Sequence, residues 1–517
     1  MVQVSSDLRG LAIDLPPPLD KPAEQPWPLR FDSGPVAGAP ALHGMRLSVP
    51  DRLEVQYERD AASGRVLRGV LALGHGAAVL PEQGVTAHLT LARLDADAWD
   101  DALRPLLARS ADGAAAASSG DEYLPSRWTL QADELTTGDH TLHALKASGT
   151  RAGLREGARW RADVQARELA GWVEYNEGAD GRAGKLLARL SRLSVPQGDA
   201  GGDQSPLAQP AANIPALDVV VDEFELRGKS LGRLEIRAVN RDVAASRLGG
   251  GTPQDWELSR LVLQSPEATL TASGRWAAMA RAPALPVDPR APRAPDDPRR
   301  TALEFRLDVR DAGKLLARLG MPDVLARGKG ALHGRLEWRG APLSPHYPSM
   351  QGQLHVDVGA GQFLKADPGA AKLLGVLSLQ SLPRRLTLDF RDLFSAGFAF
   401  DFVRGDVEVQ RGMARTNNLQ MKGASAAVLM SGSADIDQET QDLRVLVVPE
   451  IDAGTAALVA TAINPAIGIG TFLAQLVLKR PLIKAATREF HIGGSWDDPS
   501  VERVPVSAPA AAASAPG

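Results

Sequence analysis

Alternation of apolar and polar residues at period two recurs along the chain and constrains its fold more than any other feature, because only an extended strand sends successive side chains to opposite faces. In Ala302 to Arg310, Leu303, Phe305, Leu307 and Val309 share one face, and Glu304, Arg306, Asp308 and Arg310 share the other. The pattern returns in Leu332 to Trp338, where Leu332, Leu336 and Trp338 oppose His333, Arg335 and Glu337. It returns again in Leu53 to Tyr57, Leu354 to Val358 and Leu386 to Phe390. These are sheets with one wet face. Turn-forming stretches such as Asp60 to Gly64 and Asp437 to Asp442 separate them, so hairpins and antiparallel pairing are expected in preference to helical crossovers.

A chain of 517 residues exceeds one ordinary core, so it forms several domains or one elongated architecture of similar units. With 44% hydrophobic and 23% charged residues it has the composition of a folded, non-polytopic protein. A formal charge of -4 with interspersed signs provides no field for nucleic acid. The absence of cysteine removes disulfides, thiolate metal sites and cysteine nucleophiles. MVQVSSDLRGLAIDLPPPLDKP contains no basic leader before an apolar core and opens directly in strand-like sequence, so a neighbour upstream of Met1 is expected.

Helix candidates are short. Gly184-Lys-Leu-Leu-Ala-Arg-Leu190 returns as Gly313-Lys-Leu-Leu-Ala-Arg-Leu319, which reads either as a repeated helix or as coincidence in a Leu- and Arg-rich chain. Ser110 to Glu122, Pro196 to Asn213 and Arg281 to Arg300 read as surface loops, the last because its prolines exclude a central strand or helix. Ala453 to Leu478 carries no charge over 26 residues, but Asn464-Pro465, Gly468 and Gly470 break it into two short apolar helices. Such a segment either plugs the sheet's apolar face or meets a bilayer through residues such as Ile463, Ile467, Phe472, Leu473 and Leu476.

Chemistry-bearing patterns are weak. His140 and His143 fall on opposite faces of a strand, so no metal site is expected there. Gly228-Lys229-Ser230 ends like a phosphate-binding loop, but Glu223 stands where that loop needs glycine. Asp435 to Asp442 is acidic but lacks the glycine of a calcium loop and reads as a hairpin turn. No Gly-x-Ser-x-Gly elbow occurs. Catalytic, metal and cofactor residues are therefore not assigned. Arg384-Arg385, after Pro383, reads as a solvated strand edge or as a phosphate contact at a groove rim.

Leu373 to Gly412 (LLGVLSLQSLPRRLTLDFRDLFSAGFAFDFVRGDVEVQRG) closely resembles the C-terminal region of the YhdP family of AsmA-like proteins. Gly330 to Pro342, Ala366 to Leu374, Gly432 to Val448 and Phe490 to Pro499 resemble further pieces of it. The resemblance implies a mainly β fold: a long curved antiparallel sheet forming an open trough with a few short helices, including the apolar ones near the C-terminus. Roughly twenty strands at about 4.8 Å each would extend on the order of 100 Å. It also implies phospholipid transfer between the inner and outer membranes of a Gram-negative envelope, in the periplasm, with anchoring only through an N-terminal segment absent here and the upstream half of the family protein missing. Residues 1–195, 214–280 and 301–450 are then groove sections and 451–484 an apolar helical segment. A closing strand is expected at 485–504, loops at 196–213 and 281–300, and a tail at 505–517.

Acyl chains are the expected ligand. Candidate contacts are Leu303, Phe305, Leu307, Leu336, Trp338, Leu386, Leu388, Phe390, Phe398, Phe400, Val407 and Val409. The competing reading is an envelope scaffold or assembly factor whose apolar faces close as β-sandwiches.

Overall fold

A computed structural model describes residues 1–74, 79–111, 121–138, 140–153, 157–178, 184–196, 214–242, 254–278, 299–342, 345–364, 398–423, 426–449, 487–496 and 498–504. The chain divides into two compact units, Met1–Asn240 and Arg241–Gly517.

In the first unit β1 (Val2–Ser6), β2 (Leu29–Val36), β3 (Ala39–Val49), β4 (Leu53–Asp60) and β5 (Val66–Gly74) pair antiparallel in chain order. β6 (Gly84–Asp95) then lies parallel to β5, and β7 (Arg127–Thr137) parallel to β6. β8 (His140–Ala152), β9 (Arg159–Gln165), β10 (Leu169–Asn176) and β11 (Lys185–Val195) continue antiparallel. β12 (Ala216–Leu226) is parallel to β11, and β13 (Lys229–Asp242) returns antiparallel.

The expectation of an antiparallel sheet is thus corrected to a mixed one. A parallel neighbour needs a connection that carries the chain back along the sheet. The connections into β7 and β12, residues 96–126 and 196–215, contain the insertions Ser110 to Glu122 and Pro196 to Asn213 that read as surface loops. The first connection includes α1 (Ala96–Ala111), which the sequence conceals because Pro105 sits inside it. Asp95 caps this helix, its carboxylate accepting from the Ala98 N–H at 2.9 Å.

The second unit is antiparallel throughout its described pairs. β14 (Gln254–Gln264), β15 (Ala268–Ala278), β16 (Arg299–Val309), β18 (Gly330–Arg339), β19 (Gln351–Phe363) and β20 (Phe398–Gln410) follow one another across the sheet. β21 (Met413–Gly423), β22 (Ala426–Asp435), β23 (Thr440–Pro449), β24 (Arg488–Gly494) and β25 (Pro499–Val504) complete it. Between β16 and β18 the chain makes α2 (Ala312–Arg318) and β17 (Leu325–Arg327), which pairs with the end of β19.

The repeated heptapeptide adopts both conformations. Its first copy runs into β11 and its second into α2, although the residues are identical. Tertiary context decides. Lys185 to Leu190 hydrogen-bonds to β10 on one side and β12 on the other, whereas Asp311 caps the second copy through the Lys314 N–H at 3.0 Å.

The hairpins behave as read. Asp435 accepts from the Asp437 and Gln438 N–H groups at 3.0 Å in the turn between β22 and β23. Arg227-Gly228, with φ of 50° and 73°, turns β12 into β13.

One expectation fails at β22–β23, where both faces are dry. Ala427 and Leu429 are buried like Val428 and Met430, and Leu446 and Val448 like Val445 and Val447. Gly171 marks a bulge where β10 meets β11, with φ of 142° and the Arg189 carbonyl 2.3 Å from where a Cβ would stand. Gly171→Val is expected to lower stability by about 2 kcal/mol or more, read as a shifted urea midpoint.

Candidate functional site

Following the strand register places apolar residues side by side across each unit. In the first, one row runs Val4–Phe31–Leu47–Val55–Leu71–Ala87–Trp128–Gly149–Ala162–Val173–Ala188–Val219–Ile236, one residue from each of thirteen strands. Cross-strand partners share a face. No charged side chain interrupts the row over twelve steps of about 4.8 Å, roughly 58 Å along the sheet, and its one polar side-chain atom is the indole nitrogen of Trp128. Ten of its members are half-buried, only Ala87 and Ala188 are buried, and Val4 is exposed. A second sheet packed on this face would bury them all, so this row is an open floor.

The second unit repeats the arrangement. Leu261–Ala272–Phe305–Gly334–Leu354–Val407 and Leu263–Leu270–Leu307–Leu332–Val356 are parallel rows, and every member is half-buried. Phe305 stands between Ala272 and Gly334, so the largest side chain of its row has small neighbours on both sides. The opposite face carries charge: Arg335 pairs with Glu304 at 3.5 Å and Arg300 with Glu337 at 3.1 Å. These exposed pairs contribute at most about 1 kcal/mol each and keep that face wet.

Of the acyl-chain candidates, Leu303, Phe305, Leu307, Leu336 and Val407 lie half-buried on the floor. Trp338, Phe400 and Val409 are 6%, 3% and 2% exposed, and they belong to buried clusters that flank it. Leu386, Leu388 and Phe390 lie outside the described residues, as do Arg384 and Arg385, and Phe398 is described in its backbone only. Ile463, Ile467, Phe472, Leu473 and Leu476 are likewise outside them. Among the described residues no helix is long and apolar enough to cross a membrane.

Sequence reading missed two features. One is a polar cluster on the wet face, where Asp406 lies 2.6 Å from His355 Nδ1 and accepts from Asn418 Nδ2 at 2.7 Å. Hydrogen bonding to His355 holds the Asp406 carboxyl below its usual range. Among the described residues no three potential ligands converge on a metal position. The other is a bidentate ion pair between Arg318 of α2 and Glu267, with contacts of 2.8 and 2.9 Å. Partners 51 positions apart leave no local signal.

The Arg318 hydrogen bond brings the Glu267 carboxyl down to about 2. A carboxylate whose folded pKa lies below its unfolded value of 4.5 stabilises above the unfolded value and loses that contribution as pH falls towards the folded one. Thermal unfolding should therefore show the gap between wild type and Glu267→Gln closing as pH drops from 4.5 to about 2. A gap unchanged across that window would refute the assignment.

The YhdP protein family profile matches residues 1–501. The chain is 25% identical over 525 aligned positions to the intermembrane phospholipid transporter YhdP of Escherichia coli (strain K12). That alignment covers 97% of this chain and 37% of the relative, so the chain spans little more than a third of that protein's length. No solved structure matches the chain. A match across nearly its whole length shows that the chain belongs to the YhdP family.

Proposed function

We propose that this chain is a non-enzymatic section of a phospholipid conduit between the inner and outer membranes of a Gram-negative envelope. On this reading residues 1–195, 214–280 and 301–450 are its groove sections, it works in the periplasm, and upstream sections of the longer protein complete the path and its anchoring. Outer-membrane lipid homeostasis and the permeability barrier are the processes it serves. The observation that carries the reading is the unbroken, half-buried apolar row of the first unit.

The energetics are simple. A phospholipid exposes roughly thirty methylenes, at about 0.8 kcal/mol each, so leaving a bilayer for water costs on the order of 25 kcal/mol. A continuous apolar floor offsets that cost at every point, and movement along it needs no bond-making chemistry. The wet face keeps the conduit soluble. The closed core at β22–β23 fits the scaffold reading locally, and the rows from β14 to β20 do not.

The test uses photo-crosslinking residues at Leu130, on the floor, and at Gln131, on the wet face. Lipid adducts are expected at position 130 and at least tenfold fewer at 131. Equal labelling, or none at 130, rejects a one-faced conduit.

A further inference from the structure

The floor of the second unit leads beneath α2. A row of Val309, Gly330, Val358, Val403, Met421 and Val428 crosses six described strands, and it passes from the half-buried Val309, Gly330 and Val358 into the buried cluster around Val428 and Val445. Over this row α2 places Ala312, Leu315 and Leu316, and between helix and sheet lies an apolar cavity of about 200 Å³. Val358, Phe363 and Phe400 line its floor, and among the fifteen lining residues Gln420 alone carries a polar side chain.

The roof is fixed in place. Its first N–H, from Ala312, donates to the Gly328 carbonyl at 2.8 Å. Gly313 lies so close to β17 that a Cβ there would stand 2.2 Å from the Leu325 carbonyl oxygen. At the far end Arg318 grips Glu267 with two hydrogen bonds, and Glu267 also accepts the Arg310 N–H through its own carbonyl at 2.7 Å. Gly330 stands between Val309 and Val358 because the β19 backbone at Asp357 and Val358 approaches too closely there for any side chain.

A dry cavity of this kind takes hydrocarbon. An apolar cavity of about 150 Å³ holds a six-carbon ring, so about 200 Å³ has room for about eight carbons. That is half of an ordinary acyl chain and far too small for a headgroup, which would leave its charge in a nearly unbroken apolar lining. We propose that the cavity beneath α2 is a pocket for the methyl end of a single acyl chain, whose remaining methylenes lie on the open rows through Leu307, Leu332 and Val356. The proposal rests on the conduit reading and adds a fixed station to it: a lipid here stands with its tail end docked.

Two phospholipid probes test it on the 517-residue chain, one with a diazirine at the end of an acyl chain and one with a diazirine near its ester, each offered in phosphatidylethanolamine vesicles. After irradiation, mass spectrometry is expected to find the tail-end probe on peptides carrying Leu315, Leu316 and Leu325 at least fivefold more often than the ester-end probe. Both probes should label the floor around Phe305. Floor labelling by both probes with none at α2, or equal labelling of α2 by both, overturns the pocket while leaving the conduit intact. No labelling anywhere overturns both. Leu316→Trp, which fills the cavity, should remove the α2 adducts and spare those at Phe305. Persistence of the α2 adducts in a folded variant also overturns the pocket, and the wild-type arms decide the question if that variant does not fold.

Discussion

Phe305→Asp is expected to slow exchange of a fluorescent phospholipid between vesicles about 100-fold while leaving the sheet folded. Phe305 is half-buried in the middle of its row and flanked in register by the small residues Ala272 and Gly334. A carboxylate facing hydrocarbon costs about 3 kcal/mol at the centre of a bilayer, and as a barrier that is roughly a 150-fold slowing. The fold tolerates the change because the new side chain still reaches water at the open face. Arg306→Asp is the control. Arg306 points to the wet face beside Asp308, and exchange should stay within twofold of wild type even though stability shifts by a few tenths of a kcal/mol. If Arg306→Asp slows exchange as much as Phe305→Asp, the lipid does not travel on one face. If neither matters, the floor carries no lipid.

Part of the second unit's floor was legible in the sequence. Leu303, Phe305 and Leu307 declare their shared face by period alone, and the partner row Leu332 and Leu336 declares its own. Strand direction was not legible, because pairing depends on where a connection lands and not on the strands it joins. Ser110 to Glu122 and Pro196 to Asn213 look like insertions in the sequence, yet β7 and β12, the strands that follow them, pair parallel to their neighbours. The two copies of Gly-Lys-Leu-Leu-Ala-Arg-Leu make the limit plain: no local rule separates a strand from a helix when the residues are the same, and Asp311 and Glu267 lie outside the repeat. Closure was equally hidden. The alternating residues of β16 and the doubly buried ones of β23 both read as strand, and whether a face stays open depends on what packs against it.

Trp276→Ala tests the margin of that floor and is expected to cost the second unit about 3–5 kcal/mol. The indole has no solvent exposure, and by register it stands between Trp256 and Thr301, with Trp338 one strand further. Three of the four members of this row are tryptophans, each under 9% exposed, near the ends of adjacent strands. The fourth, Thr301, uses its hydroxyl to donate to the Gly340 carbonyl at 2.8 Å, so the row's small member is secured by a hydrogen bond where its neighbours are secured by bulk. The Arg299 guanidinium lies 5.0 Å from the centre of the Trp276 ring and loses that face in the alanine variant. Neighbouring indoles are too rigid to collapse into the space, which places the cost at the upper end of large-to-small substitutions. Trp276→Phe keeps an aromatic ring in the row and should recover more than half of the loss. Urea unfolding followed by far-UV circular dichroism checks both, in the transition that belongs to the second unit. A midpoint unmoved by Trp276→Ala would mean that the strand ends are held by their backbone ladder alone. A large shift with Phe305 still labelled by lipid would separate the two tasks within the second unit, with the indole row fixing the strands and the open rows carrying the ligand.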